Sequence, residues 1–184
     1  MALHNPSDFY DAISAEMIRR LEGISVDNYN QFGDKVIGDG MVLIEFERGE
    51  NAGRKNDGRI GHNYNITLHG VVGRHRHRAD LEALNLSAAI ERVVVDNRWQ
   101  LPWEQVSEPS EISSAPSIFK HGADGYEAWG VSFNQTIYLG KRLAAGDDPV
   151  KEIWATITPP ADPDDIAQYQ KVENAGLNIS VNSP

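Results

Sequence analysis

From Glu127 to Gly140 apolar and polar residues alternate: Trp129, Val131, Phe133, Gln135, Ile137 and Leu139 on one side of an extended chain, and Ala128, Gly130, Ser132, Asn134, Thr136 and Tyr138 on the other. A period of two predicts a long strand with one face for a core and one of small, uncharged polar groups. Met41 to Arg48 alternate likewise, with Val42, Ile44 and Phe46 against Met41, Leu43, Glu45 and Glu47. So do His62 to Val72, with Tyr64, Ile66, Leu68 and Val72 against Asn63, Asn65, Thr67 and His69.

Two stretches have helical spacing instead. Asn5-Pro6-Ser7-Asp8 is a start signal, and Phe9, Tyr10, Ile13, Met17 and Leu21 form one stripe of a helix ending near Glu22. Asp80 is the expected cap of a second helix running to about Asn97. Its apolar residues form two stripes: Leu81, Leu84, Ala88 and Val95 on one side, Ala83, Leu86, Ile90, Val93 and Val94 on nearly the opposite one. Such a helix is expected to be covered by the sheet on one side and by helix one or a neighbouring subunit on the other.

The remaining stretches read as connections. Gly23–Gly40 is turn-rich, Gly49–Gly61 (GENAGRKNDGRIG) is expected to be a mobile hairpin loop, and Trp99–Phe119, with Pro102, Pro109 and Pro116, a surface connector. Lys151–Thr158 has the alternation of a short edge strand, which Pro159, Pro160 and Pro163 bring to an end. The expected fold is therefore α+β: a small mixed or antiparallel sheet of three to four strands with two helices packed on one face. Residues 1–158 are expected to form one domain and 159–184 a Pro/Asp-rich C-terminal extension.

A chain of 184 residues, 40% hydrophobic and 24% charged, suits one core. No apolar run approaches the roughly 20 residues of a membrane helix, so no membrane partner is expected. With no cysteine and no signal-like start, folding is expected in the cytoplasm. The net charge of −10 is uneven. Arg48–Arg78 holds seven basic residues against two acidic ones, and Asp147–Pro184 seven acidic against two basic. A basic middle and an acidic tail can attract each other between copies.

Catalytic signals are weak. His75-Arg-His77-Arg-Ala-Asp80 is superficially like the metal-binding His runs of dinuclear hydrolases, but Asp80 is one position late, Leu81 stands in place of the last His, and Arg74, Arg76 and Arg78 repel a cation. Asp162, Asp164 and Asp165 lack the glycine and terminal Glu of a calcium loop. Nucleophile-elbow and phosphate-loop motifs are absent, so no catalytic residue, metal or cofactor is expected. Arg54, Lys55, Arg59, Arg74, Arg76 and Arg78 are candidate basic-loop contacts. They come without stacking aromatics or base-reading side chains, so sequence-specific nucleic-acid binding is not expected.

The element order, with Trp129, Val131, Phe133, Gln135, Ile137, Leu139 and Gly140, resembles the tail terminator family of Mu-like bacteriophages and prophages. Arg98-Trp99, Pro160, Tyr169 and Val172 are similar to weaker family features, and the likeness runs over about residues 7–172. The resemblance implies a virion structural protein, not an enzyme: a hexameric ring that caps the tail tube and stops its polymerisation. Its implied partners are other copies of itself, the tube, the sheath and a neck or head-completion protein. The implied location is the host cytoplasm during assembly and then the head-proximal end of the tail. The basic loop at Arg54–Arg59 and the acidic C-terminus set this chain apart from the family pattern.

The residues themselves offer one independent pointer. Outward positions of the three strands are Asn63, Asn65, Thr67, His69, Ser132, Asn134, Thr136 and Tyr138, with Glu45 and Glu47 the only charges. Depletion of charge is what the core of a subunit interface shows, which makes these eight the interface candidates. The competing readings are a monomeric adaptor or small-ligand domain using the same face, and a metal-dependent hydrolase built on His75 and His77.

Overall fold

A computed structural model describes residues 3–32, 40–120, 122, 125–140, 154–155 and 170–171. The long alternating segment is strand β5 (Tyr126–Leu139), paired on both sides. The other strands are β1 (Ser25–Asn28), β2 (Met41–Arg54), β3 (Ile60–Gly73) and β4 (Ser110–Lys120), in the order β1-β2-β3-β5-β4. Only the β1–β2 pair is parallel, so the sheet is mixed. With helices α1 (Pro6–Arg20) and α2 (Ala79–Val94), the fold is α+β with one strand more than expected. The chain divides into two compact units, Met1–Arg142 and Leu143–Pro184.

Register follows the alternation. Ile66 lies opposite Phe133, Leu68 opposite Val131 and Thr67 opposite Ser132, which puts the apolar residues of β3 and β5 on one face. There they join Val42 and Ile44 of β2, Phe9, Ile13 and Met17 of α1, and Ile90, Val93 and Val94 of α2 in the main core. Helix α1 begins as its sequence requires: the Asp8 carboxylate accepts the backbone N–H groups of His4 (2.7 Å) and Asn5 (2.9 Å). Those two bonds hold the Asp8 carboxyl below its ordinary pKa. Helix α2 sits tight on the sheet because Gly70 has no side chain; a Cβ there would stand 2.9 Å from Leu86 Cγ and 3.0 Å from Ile90 Cδ1.

The structure corrects several sequence expectations. The cap of α2 is Arg78, in the left-handed region at φ 61°, and Asp80 lies in the first turn. Of the two stripes of α2, the one with Leu81, Leu84 and Val95 remains 36–48% exposed within the chain, so helix one is not its cover, which leaves the expected neighbouring subunit untested. The turn-rich stretch before Met41 contains β1 and a 3-10 turn, Tyr29–Gln31. The hairpin loop shrinks to residues 55–59, closed by Lys55 N–H to Arg59 O (2.9 Å) and Gly58 N–H to Lys55 O (2.9 Å), because ladder pairing runs on to Arg54 and resumes at Ile60. Half of the connector is strand β4, an edge strand that accommodates Pro116 and two register shifts.

In the second unit, β6 (Trp154–Ala155) pairs antiparallel with β7 (Gln170–Lys171). The rest of the expected edge strand, the proline run, Asp162, Asp164, Asp165 and the C-terminal tail lie outside the described residues.

Candidate assembly face

The face of the sheet turned away from the helices is divided in two. At one end Met41, Leu43, Val71 and Ala128 form a second apolar cluster with Phe32, packed with Tyr29, Ile118 and Tyr126. The chain after β1 thus folds across this end as a cover. His69 lies under its edge, 95% buried, stacked on Tyr29 at 5.0 Å between ring centroids, with Nε2 2.9 Å from the Glu45 carboxylate. Thr67 is also buried, and its hydroxyl donates to Glu47 and lies 2.6 Å from Ser132 Oγ. Close contact here depends on Gly130, where a Cβ would meet Thr67 Cγ2 at 2.9 Å and His69 Nδ1 at 3.4 Å.

At the other end the polar ladder is half-exposed. Asn65 Nδ2 donates to Asn134 Oδ1 (2.8 Å), Asn134 Nδ2 to Glu111 Oε2 (2.7 Å), and Thr136 Oγ1 to Asn63 Oδ1 (3.2 Å). These bonds cross from β3 to β5 and on to β4, because the register sets Asn65 opposite Asn134 and Asn63 opposite Thr136. A shallow depression of about 340 Å³ is lined by Glu47, Arg48, Glu50, Asn63, Asn65 and Asn134. Charge therefore gathers at the margins: Glu47, Arg48 and Glu50 on the β2 side and Glu111 on the β4 side.

All eight interface candidates from the sequence share this face, with Thr67 and His69 engaged inside the chain. The marginal residues were missed for separate reasons: Arg48 would alternate with Phe46 but is brought opposite Asn65 by the register shift between them, Glu50 lies past the expected end of the strand, and Glu111 lies in the stretch expected to be a connector.

The basic candidates do not form one surface. They fall into two groups at opposite ends of β3, whose fourteen residues span on the order of 40 Å at about 3.3 Å each. At the hairpin turn, buried Arg59 pairs with Asp57 at 2.5 Å and holds its carboxyl down to a pKa of about 2. Lys55 donates to Glu104 O (2.8 Å) with its ammonium 4.4 Å from the Tyr138 ring centroid and 5.8 Å from that of Trp103, and Arg54 is exposed. At the far end Arg74 pairs with Glu127 and Arg76 with Glu82, while Arg78 is exposed. His75 and His77 are exposed, and among the described residues no three His, Asp or Glu side chains gather where a metal ion could bind.

Gln135, a polar residue on the apolar face, is explained by the connector that follows α2. Its Oε1 accepts the indole N–H of Trp99 (2.7 Å), and its Nε2 donates to the carbonyls of Asn97 (3.0 Å) and Ser107 (2.7 Å). Every polar atom of the amide is used at a residue that is 1% exposed. The Trp129-to-Gly140 pattern and the Arg98-Trp99 pair, separate in sequence, are thus two sides of one contact. Beside it, Ala12, Ala15, Trp99 and Leu101 line an open groove of about 440 Å³ between α1 and the connector, rimmed by Asp11 and Arg19.

No family model matches the chain, and no curated protein does. Among solved structures, the PVC sheath/tube terminator of an extracellular contractile injection system, determined by cryo-EM in its extended state, is similar at 14% identity and a TM-score of 0.43. The match covers 88% of this chain and 66% of the terminator, so the chain spans just under two thirds of that protein's length.

Proposed function

We propose that this chain is a structural subunit of the tail terminator kind, whose copies close into a ring that caps a tail tube, ends its polymerisation and offers a surface to a neck or head-completion protein. Six copies, a sheath contact and a place at the head-proximal end of a virion tail are what the family resemblance adds. The observation that carries the reading is the open half of the polar face: an uncharged centre of Asn63, Asn65, Ser132, Asn134, Thr136 and Tyr138 with a charged margin. A centre depleted of charge inside a polar rim is the anatomy of a protein–protein contact.

Hydrogen bonding within the face favours the same use. A buried donor or acceptor stripped of water costs about 1–3 kcal/mol if it finds no partner. Here Asn63, Asn65, Asn134 and Thr136 already bond one another across the strands, so a neighbour can cover them without stranding those groups. A sheet left to water more commonly carries Lys and Glu on such positions.

The test is the assembly state of the full chain. Light scattering at high concentration should find a closed oligomer, and added tail tube should be capped at one end in electron micrographs. Asn134→Arg, which sets a charge in the centre of the face, should abolish oligomer and capping while leaving the circular dichroism spectrum unchanged. A wild-type monomer that ignores tube, or an Asn134→Arg protein that assembles normally, would overturn the proposal.

A further inference from the structure

Three residues in the segment after α2 hold a backbone conformation that side chains disfavour: Asp96, Trp99 and Gln100 have φ of 56°, 56° and 59°. Trp99 and Gln100 are the central pair of a turn closed by Leu101 N–H to Arg98 O (2.8 Å). Positive φ at both central positions is the geometry that ordinarily selects Asn-Gly. A turn of this kind persists only where its surroundings over-determine it, and such places are typically clamps and switches.

The restraints here are the burial of Trp99, Leu101 and Val106 in the main core and a set of polar bonds. Gln135 holds Trp99, Asn97 and Ser107 as described. Beyond the turn, the buried Gln105 side chain exchanges two hydrogen bonds of 3.2 Å with the backbone of Leu3. Further links tie the segment to the edge of β5: Ser107 N–H to Thr136 O (2.9 Å), Thr136 N–H to Ser107 Oγ (3.0 Å), Tyr138 N–H to Gln105 O (2.8 Å) and the antiparallel bridge of Val106 with Ile137.

We propose that residues 96–107 are a strap that opens as one unit while the sheet stays folded, with the Gln135 amide as its latch and the left-handed turn as a built-in bias toward release. Opening uncovers the Thr136 and Tyr138 main chain, so strap position changes one end of the polar face. The inference does not rest on ring formation and is tested on the chain whatever its assembly state.

Native-state hydrogen exchange of the full chain, measured through increasing sub-denaturing urea, reads it directly. The amides of Leu101, Val106, Ser107 and Tyr138 should exchange as a set, at least about tenfold faster than Ile66 and Leu68 in β3 and with weaker urea dependence. Gln135→Leu should speed this set by at least about tenfold again, and Trp99→Phe, which removes the indole donor together with part of the buried ring, should act in the same direction if the Leu variant does not fold. Gln100→Gly, which relaxes the turn, should slow the set about fivefold. Ile66→Val should quicken the β3 amides and leave the strap set unchanged. Exchange of strap and β3 amides at one rate with one urea dependence, or a strap set indifferent to both latch variants, would overturn the proposal.

Discussion

Replacing Gln135 with leucine separates hydrogen bonding from packing, because the two side chains have similar volume and the site is otherwise apolar. Three partners lose their bond: the Trp99 indole N–H and the carbonyls of Asn97 and Ser107. Trp99 is 2% exposed, so its N–H has no route to water and should cost the full penalty of a stranded donor, about 1–3 kcal/mol. Asn97 and Ser107 are half-buried and can regain water, so their carbonyls add about 0.5 kcal/mol each. Leucine recovers about 1 kcal/mol by burying apolar surface in place of the amide. The expected net loss is about 2 kcal/mol, read as a lower urea midpoint at unchanged m-value. In a Trp99→Phe background the stranded donor no longer exists, so Gln135→Leu should cost about 1–2 kcal/mol less there. A loss below about 0.5 kcal/mol, or a cycle additive to within about 0.5 kcal/mol, would refute the claim that this bond holds the connector to β5.

Other consequences can be checked as simply. Gly70→Ala should lower stability by about 1–3 kcal/mol in thermal or urea unfolding, since the new methyl meets Leu86 and Ile90 at 2.9–3.0 Å and those side chains have to give way; an unchanged midpoint would contradict the packing. Gln100→Gly should raise stability by about 1 kcal/mol by removing a Cβ from the left-handed region. The Asp57 carboxyl titrates at about 2 in the fold against an ordinary 3.8. Its pairing therefore supports the folded state fully above about pH 4, and that support disappears as pH falls through about 2. Carboxyl NMR should show the Asp57 titration moving up toward the ordinary value in Arg59→Gln, and no movement would rule out the guanidinium as the cause.

Where one residue sufficed to state its environment, the chain could be read directly. Alternation in β3 and β5 decided which side chains face the helices, because a one-residue slip would turn every one of them over. The stripe of Phe9, Ile13 and Met17 decided the buried side of α1 in the same way. Strand β4 was hidden because Ser113, Ser114 and Pro116 are poor strand formers, and its pairing comes from β5 rather than from its own residues. Likewise Ser25–Asn28 is too short to show a period, and the paired ends of β2 and β3 near the hairpin carry Gly, Asn and Ala that signal a loop. The polar face was legible as a pattern, but its division into a covered and an open half was not. That division depends on Tyr29 and Phe32 crossing onto the face, a long-range event with no local signature.

The turn at Trp99 and Gln100 also bears on the order in which the chain can fold. A Trp-Gln pair has no intrinsic preference for this backbone, so the turn cannot nucleate its own formation. Asn97 Oδ1 accepts the Trp99 backbone N–H (2.7 Å), and the Trp99 side chain is anchored by Gln135, 36 residues further along the chain. On a growing polypeptide the segment therefore emerges before the residue that anchors it, and has to wait for β5. The sheet should form first and the Trp99 segment close last, a late step that has to wait for Gln135 to be in place.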